Sequence, residues 1–179
     1  MRQSTRPVLL AVGLLAVAIA TVACGARART AARQGAEEFV LTTTSSADNP
    51  VYKMAALGVF KGQGTLSGIG NGQAESLARL RAGTFVVSHP TANQKVIHES
   101  VNPRTCVIVL EETGRFTINR GTGAYQGITG YGSDKIDGRA RLPRGAGGKC
   151  DTSASALAVS GTAKTAITAK GSVLLPPSG

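Results

Sequence analysis

From Val51 to the C-terminus, short strand-like runs follow one another at close spacing, with glycine between them and no long helical segment. Strands joined by short links pair with their sequence neighbours, because a parallel crossover needs a dozen or more residues. The pattern predicts an all-β, antiparallel fold. Strands are expected at Glu38–Thr44, Val51–Phe60, Gly64–Gly70, Thr84–Ser88, Lys95–Glu99, Thr105–Glu111, Arg115–Arg120, Ser155–Ser160 and Ala163–Leu175. Glu112-Thr113-Gly114 reads as the turn of a hairpin between two of them. Thr42–Pro50, rich in Ser, Thr, Asp and Asn, reads as a loop. Only Gln73–Leu80 reads as helical, for one or two turns.

The choice within this class is sandwich or barrel. Glycine recurs at 121, 123, 127, 130 and 132 in the segment Gly121–Gly132. Inside a strand, glycine marks a bulge, a sharp bend or the close approach of another backbone. The strongly coiled strands of small barrels need such positions. Aromatic residues make up 4% of the chain and Trp is absent, against 23 glycines, which suits a small-residue β-fold better than a helical bundle.

The run Gly121-Thr122-Gly123-Ala124-Tyr125-Gln126-Gly127-Ile128-Thr129-Gly130-Tyr131-Gly132 is similar to the strand signature of the allene oxide cyclase and dirigent-like barrels. The chain also resembles a group of exported actinobacterial proteins. It does so in Ala82-Gly83-Thr84-Phe85, Asn102-Pro103-Arg104-Thr105-Cys106, Gly121–Gly132 and Cys150 within a Gly-rich loop. The resemblance spans about Val51 to Pro176 and implies an eight-stranded antiparallel barrel with a central cavity. Plant members of the wider group act on oxylipins or guide radical coupling. No acidic and polar constellation here maps residue by residue onto those sites, so neither activity is carried over, and none comes from the bacterial group.

The first residues read as an address. Arg2 and Arg6 precede an uncharged apolar run, Val8 to Ala23, which ends in Thr21-Val22-Ala23-Cys24. That is the layout of a cleaved secretory signal. A transmembrane helix needs about 17–25 apolar residues, and this run reaches only the lower edge. The terminal cysteine makes the signal look like a lipobox, with Thr21 where Leu is usual. Lipidation at Cys24, with membrane attachment through it, is the first expectation. A plain secretory cut after Ala28 is the alternative. The expected organisation is a signal over 1–23, a tether over 24–37 and one barrel domain over 38–179. The last residues, Leu175–Gly179, carry no sorting motif or hydrophobic tail, which places anchoring at the N-terminus.

Cysteine parity agrees. The chain has three cysteines, and lipid on Cys24 leaves Cys106 and Cys150 as a pair that an oxidising compartment would join. The other reading of Cys106 is a free buried thiol. Two such distant cysteines without a His cluster are too few ligands for a metal.

The formal charge of +10 keeps the chain basic even after Arg2 and Arg6 are removed. Scattered cations, few stacking aromatics and no recognition motif argue against a nucleic-acid partner. Anionic lipid or wall polymer is the better match to the charge. No catalytic, cofactor or metal motif stands out. Gly62-Gln63-Gly64 and Gly121-Thr122-Gly123 lack the spacing and the helix of a phosphate loop.

His89, before Pro90, reads as a loop residue. His98 shares a strand face with Val96, while Glu99 points the other way. The candidate ligand-binding residues are His98, Arg104 and Tyr125, and no catalytic residue is assigned. The leading expectation is an exported, lipid-anchored protein whose barrel binds an apolar or amphipathic small molecule without a cofactor. The alternatives are a cyclase- or isomerase-type enzyme on a lipid-like substrate and a filled barrel that serves as an interaction domain. An open apolar cavity would favour binding, convergent polar side chains in it catalysis, and a packed interior the interaction domain.

Overall fold

The computed structural model describes residues 31–44, 50–68, 74–153 and 163–177. Among them run nine strands: β1 Arg33–Thr43, β2 Val51–Leu57, β3 Lys61–Ser67, β4 Glu75–Leu80, β5 Gly83–Ser88, β6 Lys95–Asn102, β7 Val107–Asn119, β8 Thr129–Arg141 and β9 Lys164–Leu175. All pairings are antiparallel. The sheet order is β5-β4-β3-β2-β1-β9-β8-β7-β6, and β5 also pairs with β7. That last pairing closes an eight-stranded antiparallel barrel, as the glycine pattern and the resemblance imply. It is short, with Val86, Val87 and Ser88 opposite Asn119, Ile118 and Thr117.

The ninth strand, β6, lies on the same edge of β7 as β5, beyond the closure. It pairs with Val107–Thr113, while β8 pairs along the other edge of β7 from Val107 to Ile118. Strands β6, β7 and β8 therefore run on past the closure as a ribbon, with β9 paired along β8 as far as Arg139 opposite Lys164. At its tip Cys106 and Cys150 are bonded, with Cα atoms 5.3 Å apart. Cys106, Ile108, Ala140 and Leu142 form a small second core there. Closing a loop of 44 residues in sequence is worth about 4 kcal/mol in the chain-entropy picture.

Several expected elements differ. Glu112-Thr113-Gly114 is not a turn but the middle of β7, because the pairing with β8 continues unbroken through all three. Gly114 has a packing role there instead of a turning one. The helix expected over Gln73–Leu80 does not form in the described residues 74–80. Residues 75–80 form β4, in which Ser76 and Ala78 are buried and Glu75 and Arg79 exposed, a period of two. The helix formers Leu77-Ala78-Arg79-Leu80 are overruled by pairing on both sides. Gly121–Gly132 is not one bent strand. Residues 121–128 fold as a loop with a tight turn at Gly123–Tyr125, and the strand begins at Thr129. β1 starts at Arg33, so the first described strand takes in part of the expected tether. The expected strand Ser155–Ser160 and the whole signal, Cys24 included, lie outside the described residues.

The chain's four phenylalanines all meet inside the barrel. Phe39 lies 6.0 Å from both Phe60 and Phe85 and 6.4 Å from Phe116, centroid to centroid, and Tyr125 lies 4.9 Å from Phe60. Such tilted pairs contribute beyond their buried area. The glycines of β8 make room for them. Gly130 and Gly132 are on the inward face, and a Cβ at Gly132 would sit 2.7 Å from the Phe116 ring. Low aromatic content is thus compatible with a dense core, because the rings are gathered at its centre.

Candidate functional site

The two ends of the barrel are built differently. At one end Phe60, Tyr125 and Ile128 are buried and plug the interior. Glu37, 2% exposed, lies among them. Its Oε1 accepts the amides of Leu57 at 3.0 Å and Gly58 at 2.7 Å, and its Oε2 accepts that of Phe60 at 3.1 Å. These bonds hold the β2–β3 link across the opening.

At the other end β5 stops at Ser88, because Pro90 has no amide to continue a ladder and holds His89 extended. The His89 amide donates to the Ala74 carbonyl at 2.8 Å. This turns the imidazole inward, where it is buried and its Nε2 lies 2.6 Å from Ser76 Oγ. The turn Thr91–Asn93 then brings Gln94 over the opening. Across from it, β8 continues its inward face from Gly130 and Gly132 to Asp134 and Ile136.

Asp134 is paired with Gly114 of β7, and a Cβ at Gly114 would stand 2.9 Å from Asp134 Oδ1 and 3.4 Å from Gln94 Cγ. Only glycine leaves space for the carboxyl there.

His89, Gln94 and Asp134 form the polar end of a cavity of about 50 Å³ whose other walls are apolar: Phe39, Leu41, Met54, Leu66, Phe85, Val87, Phe116, Ile136, Ile167 and Ala169. Asp134 Oδ1 is sealed from solvent and has no hydrogen-bond partner among the described residues. A buried, unpaired acceptor is uncommon in folded proteins. Burial pushes the Asp134 carboxyl above the usual aspartate range, while the His89 charge and the Gly114 amide pull it back. Glu112, two residues before Gly114, is also raised, first by burial and then by the charges of Asp134 and Glu99. The arrangement can accept a hydrogen bond from a polar head, or hold a proton on a carboxyl next to an imidazole.

The candidate ligand residues fall elsewhere. His98 sits on β6, which is exposed from Lys95 to Ser100, and its Nε2 contacts Ser100 Oγ at 3.2 Å. A register shift between Val96 and His98 also breaks the alternation expected there. Arg104 is exposed at the ribbon tip, and Tyr125 belongs to the closed end, where burial raises its hydroxyl pKa. None of the three lines the cavity, and the structure does not bring them together.

His89 does lie outside a strand, as expected, but it is buried and part of the site. Gln94 and Asp134 were not singled out by the sequence. A signal for Asp134 existed: it stands two and four residues after Gly132 and Gly130, on the parity of the inward face. Among the described residues no three His, Cys, Asp or Glu side chains come together to hold a metal.

Compared with known proteins, the chain matches no family model, no curated protein and no solved structure.

Proposed function

We propose that this chain is an exported envelope protein, anchored by lipid on Cys24, whose barrel holds a small amphipathic molecule at its open end and does not transform it. The observation that carries the reading is the unpartnered Asp134 oxygen at the polar end of an otherwise apolar cavity. A buried acceptor of this kind calls for a donor, and an alcohol or an ammonium supplies one. The apolar walls suit a hydrocarbon end.

Size narrows the ligand. About 50 Å³ accommodates only a few water-sized spheres, whereas pockets for drug-sized ligands run to roughly 300–1,000 Å³. A short aliphatic end fits between the rings; a whole fatty acid or polyprenyl chain does not. The resemblance to dirigent-like barrels is part of the proposal and supports a pocketed barrel, not a particular reaction.

One observation favours a second reading. His89, Gln94 and Asp134 converge, and a raised carboxyl beside an imidazole suits proton transfer in an isomerase-type reaction.

The test is native mass spectrometry of protein from its host, with titration of wild type and Asp134→Asn against short-chain alcohols, short-chain amines and fatty acids. The binding reading expects affinity for the alcohols or amines, weakened about tenfold in Asp134→Asn. No binding of any of them would favour the filled-barrel interaction domain. Conversion of a bound molecule by wild type, lost in Asp134→Asn, would favour the enzyme.

A further inference from the structure

We infer that the disulfide-tied tip of the β6–β8 ribbon is a docking surface for a phosphate-bearing polyanion. Cations that are dispersed in the sequence are gathered here in space. Arg139 of β8 pairs in register with Lys164 of β9, and Arg141 follows Arg139 on the same outward face. Arg141 Nε donates to the Thr105 carbonyl, and Arg144 donates to the carbonyls of Arg104 and Gly148. Lys149 precedes the bonded Cys150, so Arg104, Arg139, Arg141, Arg144, Lys149 and Lys164 form one exposed arc.

The carbonyl bonds of Arg144 orient its guanidinium group without neutralising it. Lower on the same face of β8 the situation is opposite: Lys135 lies 2.9 Å from Asp137 and 3.6 Å from Glu111, so the charges there cancel locally. At the tip Asp151 follows the bonded Cys150 and is kept ionised by hydrogen bonds from Ser153. An open groove lined by Val107, Arg139, Ala140, Arg141 and Lys164 runs through the arc. Concentrated positive charge on a rigid, cross-linked tip attracts and orients polyanions, and arginine suits phosphate oxygens.

The geometry points to a polymer over a bilayer. Arg33, where β1 starts, pairs with Leu175, while Lys164 stands at the opposite end of β9. An anchor on Cys24 would join the barrel at the Arg33 end, opposite the tip. This choice of partner rests on the anchoring proposed above; the basic surface does not.

The experiment measures binding of the full mature chain to linear inorganic polyphosphate and, separately, to vesicles containing anionic phospholipid. The expected result is binding to polyphosphate that weakens roughly 10- to 100-fold between about 50 and 200 mM salt. Arg139→Gln/Lys164→Gln should weaken it a further tenfold or so, and Arg104→Gln should weaken it to a smaller extent. The exposed barrel pair Lys53→Gln/Lys61→Gln removes the same charge and should leave binding nearly unchanged. Thermal unfolding of each variant confirms folding. Absence of polyphosphate binding, or equal loss in the barrel pair, would overturn the inference. Binding to vesicles but not to polyphosphate would overturn the polymer assignment.

Discussion

Each end of this barrel encloses a carboxylate, and the two are treated in opposite ways. Glu37 at the closed end accepts three backbone amides and lies among aromatic rings. Asp134 at the open end is tucked over Gly114 with one oxygen unpartnered, and it faces a cavity. A carboxylate that is fully satisfied holds a loop in place. One that is left short of partners costs stability and is available to something else. The contrast separates a structural acid from a candidate site within one small interior.

The largest expected effect tests the structural side. Glu37→Ala leaves the amides of Leu57, Gly58 and Phe60 without their acceptor in a buried corner. We expect a loss of about 4 kcal/mol in denaturant unfolding. Glu37→Gln keeps one acceptor oxygen and should lose about half as much. A loss below about 1 kcal/mol for Glu37→Ala would show that the plug does not depend on this residue and would erase the contrast.

Gly130→Val probes the packing of β8 near the same end. A Cβ there would come 2.9 Å from the Ser172 carbonyl and 3.1 Å from Val173 Cγ2. Two methyl groups beyond it have nowhere to go without strand movement, so a loss of about 2–3 kcal/mol is expected from the midpoint of thermal or urea unfolding. A neutral result would mean that β8 is less tightly coiled against β9 than its register indicates.

The smallest effect tests the open end and has the opposite sign. Because the folded-state pKa of Asp134 is raised above 3.8, the folded protein holds its proton while the unfolded chain has already released it. Stability from this group is complete below the unfolded pKa and is lost as pH rises through the folded one. Glu112 acts in the same direction from its reference of 4.5. Asp134→Asn should therefore be stabilising at neutral pH, by on the order of 1 kcal/mol after allowance for its partial exposure. The same variant should flatten the pH dependence of stability above the usual aspartate range. Destabilisation by Asp134→Asn at neutral pH would place Asp134 with Glu37 as a structural acid.

The described residues show how far one-dimensional reading reaches in this chain. A Phe-Val-Val run identified Thr84–Ser88, period-two alternation identified most of the C-terminal strand, and parity of the cysteines identified the Cys106–Cys150 bond. It failed where two signals competed. Leu77-Ala78-Arg79-Leu80 carries good helix formers, so propensity outweighed an alternation only six residues long. Gly114 looked like a turn because a glycine after Glu-Glu-Thr is locally ambiguous; only the neighbouring Asp134 explains it. The site was missed for the same reason. His89 sits beside a proline, Gln94 follows a short turn and Asp134 is forty residues further on. No local spacing links the three.

By itself, the sequence determined the all-β class, the antiparallel connections and the disulfide, since each depends on local pattern or on composition. The tertiary structure decided which residues meet. Closure through the brief β5–β7 pairing sets which side chains face inward together, and the overrun of β7 and β8 past that closure creates the ribbon. Cations dispersed along the chain become one tip, and an aspartate on a glycine-rich strand becomes the polar end of a cavity. Both follow from barrel closure and strand register, which are long-range pairings that no short window of sequence contains.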